Sequence, residues 1–244
     1  MLSDRESARY SRQMMLDGWG NAGQEKLKSA RVVVAGAGGL GSVILLYLAA
    51  AGVGRIRIID SDRVDTSNLN RQVLYAGSDI GREKALAARD RLAALNPDIR
   101  VEGFVARIDD DNVSDLVGEC PMVDAMDNLH GRLALNRLAV ARQLPLFHGA
   151  IYAWEGRATT VLPGKTPCLQ CLYQGVLPGQ PPVAGVTPGA IGCVQASEVI
   201  KYLLGMGDLL AGRMLLYDGL AMKWSEMRVR PDPDCPVCGK GAPR

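Results

Sequence analysis

The residues best suited to chemistry in this sequence lie around a glycine-rich stretch that follows a short apolar run. Residues 32–35 are three valines and an alanine, which is typical of a strand buried on both faces. The stretch after them contains Gly36, Gly38, Gly39 and Gly41. Such glycines permit a tight turn and close approach of a ligand, and the next helix would point free N–H groups at an anion. The pattern predicts a phosphate-binding loop, and the alternative is a glycine-rich corner that binds no ligand.

Positive charge for a phosphate ligand must come from outside this loop. The loop lacks the Gly-Lys-Ser/Thr of a Walker-type motif, which carries its own lysine and magnesium-binding hydroxyl. Arg12, Arg71 and Lys84 are candidates to neutralise a triphosphate, and Asp127 is a candidate to hold Mg2+. Asp60 stands 19 positions after the last loop glycine, near the distance at which an acidic residue bonds a ribose hydroxyl. Each charge alone is typical of a solvated surface, but their joint occurrence favours a nucleotide site.

Four of the six cysteines form two CxxC pairs. These are Cys168-Leu-Gln-Cys171 and Cys235-Pro-Val-Cys238, with 63 residues between the pairs. Four thiolates suit tetrahedral zinc, and a site with four protein ligands leaves no open position for chemistry. The pattern predicts a structural zinc site that fastens the C-terminal tail to residues 163–175. A redox-active CxxC or chance spacing is the alternative.

The other two cysteines fit simple packing roles. Cys120 precedes a proline at the entrance of a predicted strand, and Cys193 falls in a predicted apolar helix over residues 190–204. Cys193 would occupy the first turn of that helix, where the helix dipole lowers a thiol pKa. A nucleophilic role for Cys193 therefore stays open.

Strands and helices alternate in the predicted structure of the first 150 residues. A capping box at Ser3 and Glu6 starts the first helix, and other helices cover 22–28, 80–95, 112–117, 131–143 and the stretch from the glycine loop to 51. Strands cover 32–35, 55–59, 100–106, 122–126 and 146–150. A strand or hairpin over 151–162, a proline-rich loop or lid over 163–189, the helix 190–204 and strands at 214–217 and 223–229 follow. This order predicts an α/β, Rossmann-like doubly wound sheet, mostly parallel and extended by antiparallel strands.

Composition excludes several other classes of protein. The chain has 244 residues and 48% hydrophobic content, enough for the core of one large domain. Lys plus Arg (28) nearly balance Asp plus Glu (26), so the net charge of +2 gives no reason to expect nucleic acid or an acidic membrane as partner. The longest apolar stretch, 40–53, is too short to cross a bilayer, and the N-terminus does not resemble a signal peptide. We expect a cytoplasmic protein.

Six short motifs and both CxxC pairs follow one another over nearly the whole chain. The motifs are Arg9-Tyr10-Ser-Arg12-Gln13, Gly36-Ala-Gly38-Gly39-Leu-Gly41, Asp60-Ser-Asp62, Ser67-Asn68-Leu-Asn-Arg71-Gln72, Gly81-Arg-Glu-Lys84 and Asp124-Ala-Met-Asp127-Asn128. This set resembles the MoeB/ThiF/HesA family, the bacterial relatives of ubiquitin-activating enzymes. The resemblance implies one adenylation domain over 1–244, with an N-terminal helical arm (1–30), a nucleotide-binding core (31–150) and a carrier-binding, zinc-stapled part (151–244).

The resemblance also implies a reaction and its participants. ATP and the C-terminal glycine carboxylate of a small β-grasp sulfur-carrier protein ending in Gly-Gly would give an acyl-adenylate and pyrophosphate. The residues implied for the nucleotide are Asp60 on the ribose, Asn68, Arg71 and Lys84 on the phosphates, Asp127 on Mg2+, and Asp62, Gln72 and Asn128 around them. Arg12 would reach the ATP site of a partner subunit, which implies a homodimer.

Two positions depart from the family pattern. Met126 stands where the Asp-x-Thr-Asp-Asn motif usually has threonine, which removes a small polar contact and should leave adenylation intact. The stretch 175–189 contains no cysteine, whereas members that bind their carrier covalently place one there. We therefore expect release of the adenylate to a separate sulfur donor, a desulfurase or rhodanese, and favour a carrier of the molybdopterin-synthase type over one of the thiamine type.

Two other functions fit parts of the sequence. An NAD(P)-dependent oxidoreductase would use the same glycines and Asp60, but hydride transfer has no need for Asn68, Arg71, Lys84 and Asp127. A non-catalytic carrier-binding protein would retain only the nucleotide fold, and the intact polar set argues against that loss.

Overall fold

The described residues form one mixed eight-stranded sheet. The structure is a computed structural model that describes residues 1–173 and 182–239. The sheet has the strand order β3-β2-β1-β4-β5-β6-β7-β8, in which β1 to β5 are parallel and β6 to β8 continue antiparallel. The strands are β1 (Arg31–Ala35), β2 (Arg55–Ile59), β3 (Arg100–Phe104), β4 (Met122–Asp124), β5 (Leu146–Tyr152), β6 (Glu155–Val161), β7 (Arg213–Asp218) and β8 (Lys223–Arg228). The predicted fold class is confirmed.

Helices cover both faces of the parallel strands. They are α1 (Asp4–Met14), α2 (Gly20–Ser29), α3 (Gly39–Ala51), α4 (Lys84–Leu95), α5 (Val113–Val117), α6 (Leu129–Arg142), α7 (Leu169–Leu172) and α8 (Val186–Leu204). Two 3-10 turns, Thr66–Asn68 and Gly77–Asp79, lie in the connection between β2 and α4. In the part of the chain that the structure describes, no helix is both long and apolar enough to span a bilayer.

β1 shows how the two layers of the core are built. Val32 and Val34 belong to the apolar cluster that includes α3 and α8 side chains, whereas Val33 and Ala35 belong to the cluster around α6. All four are at most 1% exposed. Complete burial of a valine side chain stabilises the fold by about 1.5–3 kcal/mol, so this short strand anchors both layers.

The order of the strands reverses between β1 and β4. From β1 the chain first adds β2 and β3 on one side, and then returns to add β4 and β5 on the other. In a parallel sheet this reversal leaves a crevice at the carboxyl ends of the two central strands, because their connecting helices lie on opposite faces. Any ligand is therefore expected beyond Ala35 and Asp124.

Several predicted boundaries move in the structure. The helix predicted over 80–95 begins at Lys84, because Glu83 keeps an extended backbone that pairs with Arg63. The strands predicted over 100–106 and 122–126 end earlier, at Phe104 and Asp124. The segment predicted as loop or lid over 163–189 contains α7 and the first turn of α8, and its residues 174–181 lie outside the described residues.

Candidate nucleotide site and cysteine cluster

The glycine loop forms the tight strand-to-helix turn that its sequence predicts. Gly36 has φ +97°, and a Cβ added at Gly41 would lie 2.0 Å from the Gly36 carbonyl oxygen. The loop therefore has no room for a side chain at Gly41. Gly38 is the N-cap of α3 and has no side chain to cap the helix, so the first N–H groups of α3 stay free to face the crevice. The positive end of the α3 dipole favours an anion there.

Asp60 is attached directly to the glycine loop. One carboxylate oxygen, Oδ2, accepts a hydrogen bond from the Ala37 N–H at 2.7 Å. The other, Oδ1, accepts from the Asp62 N–H at 2.8 Å. Burial raises the pKa of Asp60. Each oxygen retains a second lone pair, so the carboxylate can still accept hydrogen bonds from ligand hydroxyls.

Lys84 and Tyr75 lie beneath the loop. The Lys84 side chain is only 7% exposed, and its Nζ lies 2.8 Å from Oδ2 of Asp62, whose side chain is 61% exposed. The Tyr75 hydroxyl lies 2.9 Å from the Ala37 carbonyl oxygen and 3.2 Å from the Lys84 carbonyl oxygen. Tyr75 therefore links the loop to the start of α4, a role that its sequence position alone does not reveal. Burial raises the pKa of Tyr75, which keeps the hydroxyl protonated as a donor.

Gln72 and Arg71 lie over the start of α3. Gln72 is buried, and its Oε1 has no hydrogen-bond partner within residues 1–173 and 182–239. Its Nε2 is 3.8 Å from the position that a Cβ on Gly38 would take. The Arg71 Cγ lies 3.6 Å from the corresponding position at Gly39, while its guanidinium donates to the Ser67 carbonyl oxygen at 2.9 Å. A buried amide oxygen without a partner beside a helix N-terminus fits a site that a polar ligand completes.

Asn68 and Asn128 use their side chains to shape the site. The Asn68 Oδ1 accepts from the Asp65 N–H at 3.2 Å, within the 3-10 turn that precedes Arg71. The Asn128 Oδ1 accepts from the Gly131 N–H at 2.9 Å and thereby caps α6. Both amide groups therefore hold local backbone, and each retains donors for a ligand.

Asp127 follows β4 at the ligand-binding edge of the sheet. The Ala125 N–H donates to the Ala35 carbonyl oxygen at 2.9 Å, so the end of β4 is fastened to the end of β1. Asp127 is exposed, and its carboxylate makes no hydrogen bond or ion pair with any residue that the structure describes. Asp127 thus offers an accessible carboxylate at this edge of the sheet, and its role as a Mg2+ ligand stays a prediction.

Arg12 lies far from the glycine loop of its own chain. It is exposed on α1, and the next residue, Gln13, donates to the Ala51 carbonyl oxygen at 2.8 Å, at the C-terminal end of α3. The loop lies at the other end of that helix, and α3 has 13 residues. At a rise of 1.5 Å per residue the two ends are about 18 Å apart. The structure therefore does not bring Arg12 to the nucleotide site of the same chain.

The four CxxC cysteines come together in one cluster. The sulfur atoms of Cys168, Cys171, Cys235 and Cys238 all lie within 4.8 Å of one another. The sulfur atoms of Cys168 and Cys171 are 4.0 Å apart, and the pairs Cys168–Cys235 and Cys171–Cys238 are separated by 3.7 and 3.5 Å. Four ligands at about 2.3 Å from a tetrahedral zinc ion would be about 3.8 Å apart, which matches these distances.

Cys193 lies in the second turn of α8. α8 begins at Val186 rather than at residue 190, so the prediction that Cys193 lies in its first turn is wrong. The cause is Pro188, which is typical of a loop but here occupies the first turn of the helix, where proline is tolerated. Partial burial raises the pKa of Cys193, which works against a nucleophilic thiolate.

A doubly wound sheet with a glycine loop, a carboxylate on that loop and nearby cations defines a nucleotide-binding protein. The chain belongs to the ThiF family, whose model matches residues 10–237.

Three relatives resemble the chain over most of their length. The SAMP-activating enzyme E1 of Haloferax volcanii is 46% identical to this chain, and the similarity covers 96% of this chain and 89% of the relative. The sulfur carrier protein adenylyltransferase of Thermus thermophilus is 45% identical and is covered to 91%, again with 96% of this chain. The molybdopterin-synthase adenylyltransferase of Salmonella typhimurium is 40% identical, with 98% of this chain and 99% of the relative covered.

A solved structure shares the fold. The crystal structure of E. coli MccB with ATP has a TM-score of 0.84 and 25% sequence identity to this chain. The similarity covers 97% of this chain and 75% of MccB.

Proposed function

We propose that this protein uses ATP to adenylate the C-terminal glycine carboxylate of a small sulfur-carrier protein. The observation that carries the proposal is the polar set at the N-terminus of α3. Asp60, Gln72 and Lys84 lie on or beside the glycine loop, and Asp127 projects from the end of the neighbouring strand. Membership of the ThiF family supports the same reaction, and two of the relatives described above are named adenylyltransferases.

The proposed reaction is a substitution at the α-phosphorus of ATP. A carboxylate oxygen of the carrier forms a new O–P bond as the bond from the α-phosphorus to the bridging oxygen breaks. Pyrophosphate leaves with that electron pair, and negative charge grows on the leaving group and on the equatorial oxygens. Catalysis therefore consists mainly of positioning and electrostatic stabilisation.

The chain supplies cations and dipoles for that charge. We assign the α3 N–H groups, Asn68 and Arg71 to the phosphates, and Asp60 to the ribose hydroxyls. Lys84 also serves the phosphates, since its ammonium group has three donors and Asp62 occupies one of them. Gln72, Asp62 and Asn128 shape the surroundings of the nucleotide.

Asp127 fits a role in holding Mg2+. This ion prefers oxygen ligands and is commonly bound by one or two carboxylates together with substrate phosphates. An exposed carboxylate without a hydrogen bond or ion pair to described residues meets that requirement. When bound, Mg2+ neutralises phosphate charge and orients the leaving group.

We propose that the four cysteines hold a structural Zn2+. The sulfur distances suit a tetrahedral site, and four thiolates leave no position for substrate. The ion would fasten the segment that contains Cys235 and Cys238 to α7. The role is stabilising and not catalytic.

We propose a homodimer, which the family resemblance implies and the position of Arg12 supports. Within one chain this guanidinium lies about the length of α3 away from the glycine loop. It makes no hydrogen bond or ion pair with the described part of its own chain. We infer that it completes the ATP site of a second copy.

We infer that the adenylate is released to a separate sulfur donor. The stretch 175–189 has no cysteine, and the raised pKa of Cys193 gives no support for covalent capture there. The carrier is proposed to be of the molybdopterin-synthase type, in line with the Salmonella relative. A covalent carrier adduct on Cys193, seen by non-reducing intact-mass analysis during turnover, would contradict this inference.

The sheet bears on how the chain is divided into domains. We infer that residues 1–244 act as one adenylation domain, since a single sheet runs through both the nucleotide core and the C-terminal strands. A cytoplasmic location stays a prediction from the sequence.

Carrier-dependent exchange of pyrophosphate into ATP tests the proposed function. We expect exchange with at least one purified Gly-Gly carrier and none with the same carrier lacking its last glycine. Asp127→Asn should reduce the exchange rate by about 100-fold, the scale of one lost transition-state contact. Asp111→Asn removes an exposed carboxylate elsewhere and should leave exchange unchanged. If no carrier supports exchange and a difference spectrum shows that the protein binds a nicotinamide cofactor, an oxidoreductase is favoured instead. If the protein binds a carrier but catalyses no exchange, a non-catalytic carrier-binding protein is favoured.

A further inference from the structure

A buried ionic cluster lies directly beneath the strand end that carries Asp127. Its centre is Asp124, the last residue of β4, which is completely buried. The Asp124 Oδ2 accepts from the Arg132 Nε–H at 2.8 Å and lies 2.6 Å from the His148 Nδ1. Desolvating a carboxylate is costly unless it is paired, and replacing such a cluster by apolar side chains often leaves stability unchanged. Stability alone therefore gives a weak reason for these charges.

The cluster holds the backbone immediately before Asp127. The Met126 N–H donates to Oδ1 of Asp124 at 3.1 Å. The Met126 carbonyl oxygen accepts from the Arg132 Nη2 at 2.6 Å. Both backbone polar groups of Met126 thus bond to the cluster, and on the other side Asn128 is fixed as the cap of α6. Asp127 lies between two anchored residues.

The same strand end is fitted against the glycine loop. A Cβ added at Gly36 would lie 2.5 Å from the Ala125 carbonyl oxygen and 3.3 Å from the Met126 nitrogen. At Gly36 the loop therefore lies directly against the backbone of Ala125 and Met126. Any displacement of this segment changes the distance between Asp127 and the α3 N-terminus.

His148 sets the orientation of the central carboxylate. It is the register partner of Asp124 on the neighbouring strand β5. Its Nε2 lies 2.8 Å from the Tyr173 hydroxyl. If Nε2 accepts a hydrogen bond from the Tyr173 hydroxyl, Nδ1 carries the proton and donates a hydrogen bond to Asp124. Each atom in the series Tyr173, His148 and Asp124 then acts either as a donor or as an acceptor, without conflict.

We propose that Asp124, Arg132 and His148 are positioning residues that fix Asp127 at the distance from the glycine loop that MgATP binding requires. The inference rests on the proposed function of the nucleotide site. Arg132 acts on the Met126 carbonyl directly, and His148 acts through the Asp124 carboxylate. None of the three needs to touch ATP.

Arg132→Lys is the sharpest test, because lysine retains the charge but has one nitrogen where arginine uses two. It can pair with Asp124 or reach the Met126 carbonyl, but not hold both in the observed geometry. We expect the KM for ATP and the Mg2+ concentration for half-maximal exchange to rise by about 10-fold or more, with the KM for the carrier unchanged. Arg137→Lys is the matched control, since Arg137 lies on the same helix and makes its bidentate pair with exposed Asp110.

Two His148 variants separate positioning from folding. His148→Asn keeps a donor near the Nδ1 position and should restore most of the Mg2+ affinity that His148→Leu loses. A purely structural role would instead lower the melting temperature of the His148 and Arg132 variants while leaving the Mg2+ and ATP dependence at wild-type values.

Binding of a non-hydrolysable ATP analogue with Mg2+, measured by calorimetry without any carrier, keeps this inference separate from the proposed function. Weaker binding in folded Arg132→Lys supports positioning even where no carrier gives exchange. Wild-type binding and wild-type Mg2+ dependence in that variant overturn it. If Arg132→Lys does not fold, equal Mg2+ affinity in folded His148→Asn and His148→Leu overturns it as well.

Discussion

Alanine at Gly36 should separate the glycine loop from the strand end that carries Asp127. Gly36 has φ +97°, a conformation that costs a residue with a side chain about 1–2 kcal/mol. The added Cβ would also lie 2.5 Å from the Ala125 carbonyl oxygen, whereas ordinary contact begins at 3.4 Å. Because the nearest atoms to this Cβ are the backbone carbonyl oxygen and carbon of Ala125, no side-chain rotation relieves the contact. The segment 125–128 must move by about 0.9 Å.

That movement has a calculable consequence for the reaction. Misplacement of a catalytic group by about 1 Å costs about 100-fold in rate, which is about 2.7 kcal/mol of transition-state stabilisation. We therefore expect Gly36→Ala to lower kcat/KM for ATP in the exchange assay by about 100-fold. Its free energy of unfolding should fall by about 2–3 kcal/mol, the sum of the cost of the positive φ and the cost of the close contact with Ala125.

Gly118→Ala is the matched control for backbone strain. Gly118 has φ +67°, and a Cβ there would meet no atom within 4 Å. It should lose about 1–2 kcal/mol of stability and keep wild-type kinetics. Thermal unfolding and the exchange assay measure both quantities. Wild-type kinetics in Gly36→Ala, or an equal kinetic loss in Gly118→Ala, would refute the reasoning.

Three further predictions address the dimer, the metal and the loop. Arg12→Ala and Asp127→Ala should each be inactive in exchange, whereas their equal mixture should regain about a quarter of wild-type activity. The reason is that half of the dimers would contain both variants, and each of these would hold one complete site of its two. If mass analysis shows that the subunits exchange and the mixture is still inactive, Arg12 does not act across subunits. Removing zinc with a chelator should lower the melting temperature and release one zinc per chain by elemental analysis, and Cys168→Ser should prevent binding while Cys120→Ser should not. Tyr75→Phe should cost about 1–2 kcal/mol of stability and raise the KM for ATP, since the hydroxyl joins the loop to α4; an unchanged KM would limit Tyr75 to a structural role.

The elements that the sequence predicts best are those with a strong local pattern. The run Val32–Val34 has to be covered on both faces, and the glycines after it permit the tight strand-to-helix turn that the structure contains. Cysteine spacing predicts the cluster although 63 residues separate its halves, because thiolates in pairs suit a metal better than packing. In these cases local chemistry leaves few alternatives.

Tertiary contacts explain what the sequence leaves out. Nothing in the residues around His148 distinguishes a core histidine from a member of an ionic cluster, because its partner Asp124 comes from another strand. A sign does exist on α6, where Asn128, Arg132 and Asn136 recur at four-residue spacing and so lie on one face. Asn136 continues this stripe to the cysteine cluster by accepting from the Leu169 N–H at 2.7 Å. The wrong start of α8 has a simpler cause, because a proline such as Pro188 breaks a helix in its interior but is tolerated in its first turn.

Intact-mass analysis of the carrier tests the central claim most directly. The wild-type protein, a Gly-Gly carrier and MgATP are mixed with pyrophosphatase, which removes the product that drives the reverse reaction. We predict one AMP adduct on the carrier, absent when its last glycine is deleted and strongly reduced with Asp127→Asn. A carrier that stays unmodified while wild-type protein binds both it and MgATP would contradict the proposed adenylation.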